Sequence, residues 1–79
     1  VKGFKAPYGL AELDDGTIAV AEFAANRISR IDPKTETLLA PIVSDLKGPA
    51  GLQLLPDGQL LVSETGGGIV SIIDVKTGK

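Results

Sequence analysis

Glu22 and Glu64, 42 residues apart, each close a Val-x-Glu triplet at the end of an apolar segment. Carboxylates repeated at a fixed interval and gathered around one axis have two chemical uses, as oxygen ligands for Ca2+ or Mg2+ or as a general acid and base. Their plainer use is structural, with each accepting hydrogen bonds from backbone, Asn or Arg groups of its own loop. Other side chains able to touch a ligand lie close by: Asn26 and Arg27 follow Glu22, and Tyr8, the single tyrosine, offers an aromatic face. Arg27 and Arg30 have Ile69 and Ile72 as counterparts 42 residues on, which points to positions facing a neighbouring unit and to pairing with Glu12 or another carboxylate. The chain has no histidine and no cysteine, so Ser/His/Asp and Cys/His nucleophile systems and the common zinc sites are excluded. Gly66-Gly67-Gly68 is not a phosphate cradle, because a strand follows it rather than a helix. The candidate ligand contacts are therefore Tyr8, Glu22, Asn26, Arg27 and Glu64. No catalytic residue is assigned, no cofactor is required, and any divalent metal would fall to Glu22 and Glu64.

The elements that must position these residues are repeated. A shift of 42 lays Pro7-Tyr-Gly-Leu10 on Pro49-Ala-Gly-Leu52, Asp15-Gly16 on Asp57-Gly58, and Ile31-Asp32 on Ile73-Asp74, with 15 identities in 37 pairs. Segments Gly9–Leu13, Thr17–Glu22, Arg27–Asp32 and Thr37–Val43 are rich in Ile, Leu and Val and bounded by Gly, Pro, Asp and Asn, as strands are. Second copies fall at Gly51–Leu55, Gln59–Glu64 and Ile69–Val75. Consecutive apolar residues such as Leu60-Leu61-Val62 predict sheets covered on both faces. Asp-Gly hairpins join the first and second strands, and Asp32 and Asp74 open further turns by accepting from backbone N–H groups two or three residues on. These turn aspartates are read as structural. The loops Phe23–Asn26 and Thr65–Gly68 are expected to be free to differ in conformation.

An all-β unit of this period is the mark of a β-propeller blade, and two blades do not close a ring. The expected architecture is one two-blade module over residues 1–79, with repeat 1 at about 1–42 and repeat 2 at about 43–79, both four-stranded and antiparallel. Two full periods need 84 residues against the 79 present, so the second unit lacks its outer strand. The run Val1–Lys5 aligns with Val43–Lys47, and the N-terminal strand of another copy is expected to complete the open edge. Head-to-tail closure then gives a cyclic homo-oligomer, a trimer with six blades ahead of a tetramer with eight. A chain of this size buries little surface alone and has no cysteine to staple it, which leaves oligomerisation or a longer parent chain as the source of stability. A net charge of −2, with no charge runs, gives no reason to expect nucleic acid or an anionic membrane as partner. No apolar stretch reaches the ~20 residues of a membrane helix and no leader pattern is visible. The start at Val1 suggests a trimmed or excised chain, and localisation stays open.

The pattern Pro-x-Gly-Leu, then Asp-Gly-x-apolar-x-Val-x-Glu, then Asn-Arg-Ile-x-Arg-Ile-Asp-x-x-Thr resembles the NHL-type repeat. The same blade pattern is similar to those of gluconolactonase and streptogramin lyase (virginiamycin B lyase) propellers, and it spans nearly the whole chain. Glu22 and Glu64 stand where the NHL pattern has aspartate, and Gly68-Ile69 replaces Asn26-Arg27, which implies that the second loop has lost the bonds those two side chains make. The resemblance implies ligand sites over a central channel, at the end of the sheets holding Glu22 and Glu64. The favoured function is a propeller module, excised, designed or ancestral in type, that self-assembles by strand exchange and binds ligands weakly at most. A lactonase- or lyase-like enzyme with carboxylate-bound Ca2+ or Mg2+ is the alternative, against which the missing histidine base counts. A protein-binding scaffold is the weaker third reading.

Overall fold

The structure, a computed structural model, describes residues 3–78. It is all-β, with two antiparallel sheets. Strands β1 (Pro7–Glu12), β2 (Ile18–Glu22), β3 (Arg27–Asp32) and β4 (Thr37–Val43) form the first sheet in the order β1-β2-β3-β4. Strands β5 (Pro49–Leu54), β6 (Gln59–Glu64) and β7 (Ile69–Asp74) form the second in the order β5-β6-β7. Three of the expected segments coincide with strands, and the outer bounds of the others move by one or two residues. The largest difference is at the start of β1 and β5, which begin at the prolines. Pairing runs from Pro7↔Glu22 to Leu10↔Val20 and from Pro49↔Glu64 to Leu52↔Val62, with a bulge between each. A proline is tolerated at the first position of a strand, so here it opens the strand instead of ending the loop. The expected N-terminal outer strand falls partly on Val1 and Lys2, outside the described residues, and Gly3–Lys5 carry no strand.

The repeat extends to the backbone. Ten described residues have positive φ, and they fall into five pairs 42 apart: Gly3 with Asp45, Ala6 with Gly48, Gly16 with Gly58, Asn26 with Gly68, and Glu36 with Gly78. The hairpins are the same bond for bond. Leu13 N–H donates to Thr17 O at 2.8 Å and Gly16 N–H to Leu13 O at 3.0 Å, as Leu55 does to Gln59 at 2.8 Å and Gly58 to Leu55 at 3.0 Å. The turn aspartates act as expected: Asp15, Asp57, Asp32 and Asp74 accept from the backbone N–H two residues on, at 2.8 to 3.1 Å. The loops after β2 and β6 are more alike than expected. A single 3₁₀ turn at Phe23–Ala25 ends on Asn26 with φ 55°, and Gly68 repeats that left-handed residue with φ 65°.

The two sheets stack face to face. Alternation along the strands puts Ala11, Ala19, Ala21 and Ile28 on one face of the first sheet, and Leu52, Leu60, Val62 and Ile73 on one face of the second. These residues meet, with Leu13, in the core. Strand β5 lies against β1 and β2. The sheets approach closely at Gly9, where an added Cβ would lie 2.1 Å from the Ala50 carbonyl oxygen. Small residues on the first sheet thus admit large ones from the second.

Candidate functional site

Glu22 ends β2 with its side chain fully buried, and four donors converge on it. Lys5 N–H donates to Oε1 at 3.0 Å, Arg27 Nε to Oε2 at 2.7 Å and Arg27 Nη2 to Oε1 at 3.3 Å, and the Ser29 hydroxyl reaches Oε2. Register explains the convergence, because Glu22 pairs with Arg27 and Val20 with Ser29 across β2 and β3, all on one face. Burial pushes this carboxyl up. The bonds from Arg27, Ser29 and Lys5, with the guanidinium charge, outweigh it and hold the group at about 2, an ionised acceptor at any ordinary pH.

Glu64 repeats the arrangement with one part missing. Lys47 N–H donates to Oε1 at 2.9 Å and the Ser71 hydroxyl reaches Oε2. Ile69 occupies the place of Arg27, so no guanidinium is present, as the substitution implied. The Ser71 hydroxyl and the Lys47 N–H still hold the carboxyl below its ordinary value against the opposing effect of burial. Both glutamates therefore tie the segment preceding β1 or β5 to the end of β2 or β6. Phe23 N–H bonding Ala6 O at 3.0 Å, and Thr65 N–H bonding Gly48 O at 2.8 Å, complete each junction. A cation at Glu22 would have to compete with the bound guanidinium for the same oxygens.

Asn26 joins the two sheets. Its Oδ1 accepts from Gly48 N–H at 3.0 Å and its carbonyl accepts from Leu46 N–H at 2.9 Å. Tyr8 is 67% exposed and leans on Phe23, with ring centroids 5.5 Å apart and planes at 42°. Phe23 in turn lies over Gly48, within 2.9 Å of where a Cβ would sit. So Glu22, Arg27 and Asn26 serve one end of the molecule, with Tyr8 beside them. Arg30 pairs with Asp15 rather than Glu12, and its Nε donates to Thr17 Oγ1 at 2.9 Å. The Thr17 hydroxyl and N–H bonds, joined by the Arg30 charge, keep Asp15 below the usual carboxylate range. That pair lies at the opposite end, beside an open cleft of about 600 Å³ lined in part by Asp14, Asp57, Asp74 and Lys76.

Ser29 and Ser71 are the residues that the sequence reading did not single out. Their signal was present, since the two are identical at the 42-residue shift and alternate with Glu on the paired strand. No protein-family model matches the chain, and no curated protein matches it.

Proposed function

We propose that the chain is a two-blade β-propeller module whose activity is assembly with further copies of itself into a closed ring. The observation that carries this reading is that each sheet leaves large apolar side chains exposed on the face turned away from the other, and the shorter sheet also leaves an apolar edge. Val70 and Ile72 on β7 are 66% and 56% exposed, and Leu10 on β1 is 66% exposed. The outer edge of β7 has no fourth strand beside it within the described residues. An edge of this kind is an aggregation hazard unless another chain covers it. The close approach of first strands β1 and β5 supports a radial arrangement with those strands innermost, and the meander order and the 42-residue period support the blade reading. Three copies supply six blades and four supply eight; the trimer is the proposed state. The buried glutamates belong to this role as latches between successive strands. Size-exclusion chromatography with native mass spectrometry from low to high micromolar concentration tests it. A trimer or tetramer with β-rich circular dichroism is expected, and a folded monomer throughout the range would overturn the reading.

A further inference from the structure

We infer that the junction between copies repeats the junction within the chain, with Leu10 and the Tyr8 backbone of the next copy seated in a groove formed by Gly51, Leu61, Ser63 and Val70 of the copy before it. The inference rests on the propeller reading and adds the surface, the partner residues and the direction of assembly.

A 42-residue shift carries the first sheet's buried face, Ala11, Ala19, Ala21 and Ile28, onto Gln53, Leu61, Ser63 and Val70. It relates the second sheet's buried face, Leu52, Leu60, Val62 and Ile73, to Leu10, Ile18, Val20 and Ile31 of the first. These two sets lie on the faces that the packing within the chain does not use: Leu10, Gln53 and Val70 are exposed, Ile18, Ile31, Leu61 and Ser63 are half-buried, and Val20 is already buried. A second copy placed on the second sheet as that sheet is placed on the first would bring these faces together. The interface already present would then continue in the same direction, head to tail, because it joins two different faces.

The groove has room for this. It is a shallow depression of about 230 Å³ lined by Gly51, Leu52, Gln53, Leu61, Ser63 and Val70. Gly51 is its floor. Its counterpart Gly9 has no space for a Cβ because the Ala50 carbonyl lies there, whereas a Cβ on Gly51 would meet only the Ser63 side chain of its own sheet within 4 Å. The position of Ala50 corresponds to Tyr8, so the Tyr8 carbonyl of the next copy falls over Gly51. At the loops, Gly68 takes the place of Asn26, and its carbonyl is positioned to accept from Phe4 N–H of the next copy as Asn26 O accepts from Leu46. Three contacts change character: Gln53 is larger and more polar than Ala11, Leu61 is larger than Ala19, and Ser63 is more polar than Ala21.

The test uses one variant for each face, Leu10→Asp and Val70→Asp, both at exposed positions so that the fold survives, as circular dichroism would verify. Each variant alone is expected to be monomeric, with self-association weakened at least ~100-fold by a charge placed at a desolvated contact. A 1:1 mixture keeps one intact junction and is expected to give a heterodimer that goes no further. If the wild type is a monomer, the propeller reading fails and the groove with it. If the wild type assembles but the mixture stays monomeric, or if either variant still assembles as the wild type does, the groove assignment is overturned while self-assembly stands. A dimer that survives both substitutions would instead indicate edge pairing through β7.

Discussion

The first sheet secures its buried carboxylate with a guanidinium, a hydroxyl and a backbone N–H; the second does the same task with the hydroxyl and the N–H alone. Glu22 and Glu64 occupy equivalent positions, and both hold the segment before the sheet's first strand. What is common to the two sites is the latch. What differs is Arg27 against Ile69, and the difference shows that the ion pair is an addition to a working junction. It also separates position from exposure: Arg27 reaches half-open solvent while neutralising a buried charge, whereas Ile69 leaves an apolar side chain 46% exposed on the open edge.

The comparison breaks most sharply at the paired glycines. Gly9→Ala would drive a Cβ into the Ala50 carbonyl, a backbone group that cannot swing aside. A loss of about 3 kcal/mol or more is expected, read as a lost or strongly lowered melting transition. Gly51→Ala meets only the Ser63 hydroxyl and is expected to leave the monomer's melting temperature close to wild type while impairing assembly. Equal destabilisation by both would show that the two sheets do not differ in the way described.

The glutamates come next. Glu22→Ala removes the acceptor for the Lys5 N–H, the Ser29 hydroxyl and Arg27, at an expected cost of about 3 kcal/mol in urea unfolding. Glu64→Ala orphans fewer donors and is expected to cost about 2 kcal/mol. Introducing the missing partner, Ile69→Arg, is expected to bring Glu64→Ala closer to Glu22→Ala in cost.

Titration sharpens the same contrast on a smaller scale. Glu22 is held at about 2 in the fold against an ordinary 4.5, so its contribution is complete above pH 4.5 and disappears as pH falls toward 2. Allowing for solvent screening through the half-open Arg27, about 1 kcal/mol is lost by pH 3. Glu22→Gln is expected to flatten the stability profile between pH 4.5 and 3. A profile unchanged by that substitution would remove the charge from the account of the latch.

The fold was legible because the features that make these sheets are local. Asp-Gly turns, Pro-x-Gly-Leu starts and runs of Ile, Leu and Val are written within a few residues of where they act, and the repeat prints most of them twice. The site was half legible. Glu22 with Arg27 follows from cross-strand register, but Ser29 is a small polar residue of the kind that usually faces water, and only its pairing opposite Val20 turns it toward Glu22. The Lys5 N–H could not be read at all, since a backbone donor carries no residue identity. Arg30 went to Asp15 instead of Glu12 because the hairpin turn projects Asp15 back beside Thr17, within reach of β3.

The smallest expected effect concerns the left-handed residues. Ala6 holds φ 53° where its counterpart Gly48 holds φ 62°. A side chain with a Cβ resists that region, yet the junction requires it, because it turns the Ala6 carbonyl toward Phe23 N–H. Ala6→Gly relieves the strain and also loosens the unfolded chain, and the two effects oppose each other. The net expectation is a gain of about 0.5 kcal/mol, a rise of a few degrees in melting temperature. The reciprocal change, Gly48→Ala, places a Cβ 2.8 Å from Gly66 N and 2.9 Å from the Phe23 ring, and should destabilise by more than Ala6→Gly gains. If Ala6→Gly instead lowers the melting temperature, the first junction is relaxed about Ala6, and the equivalence of the two sheets stops at that residue.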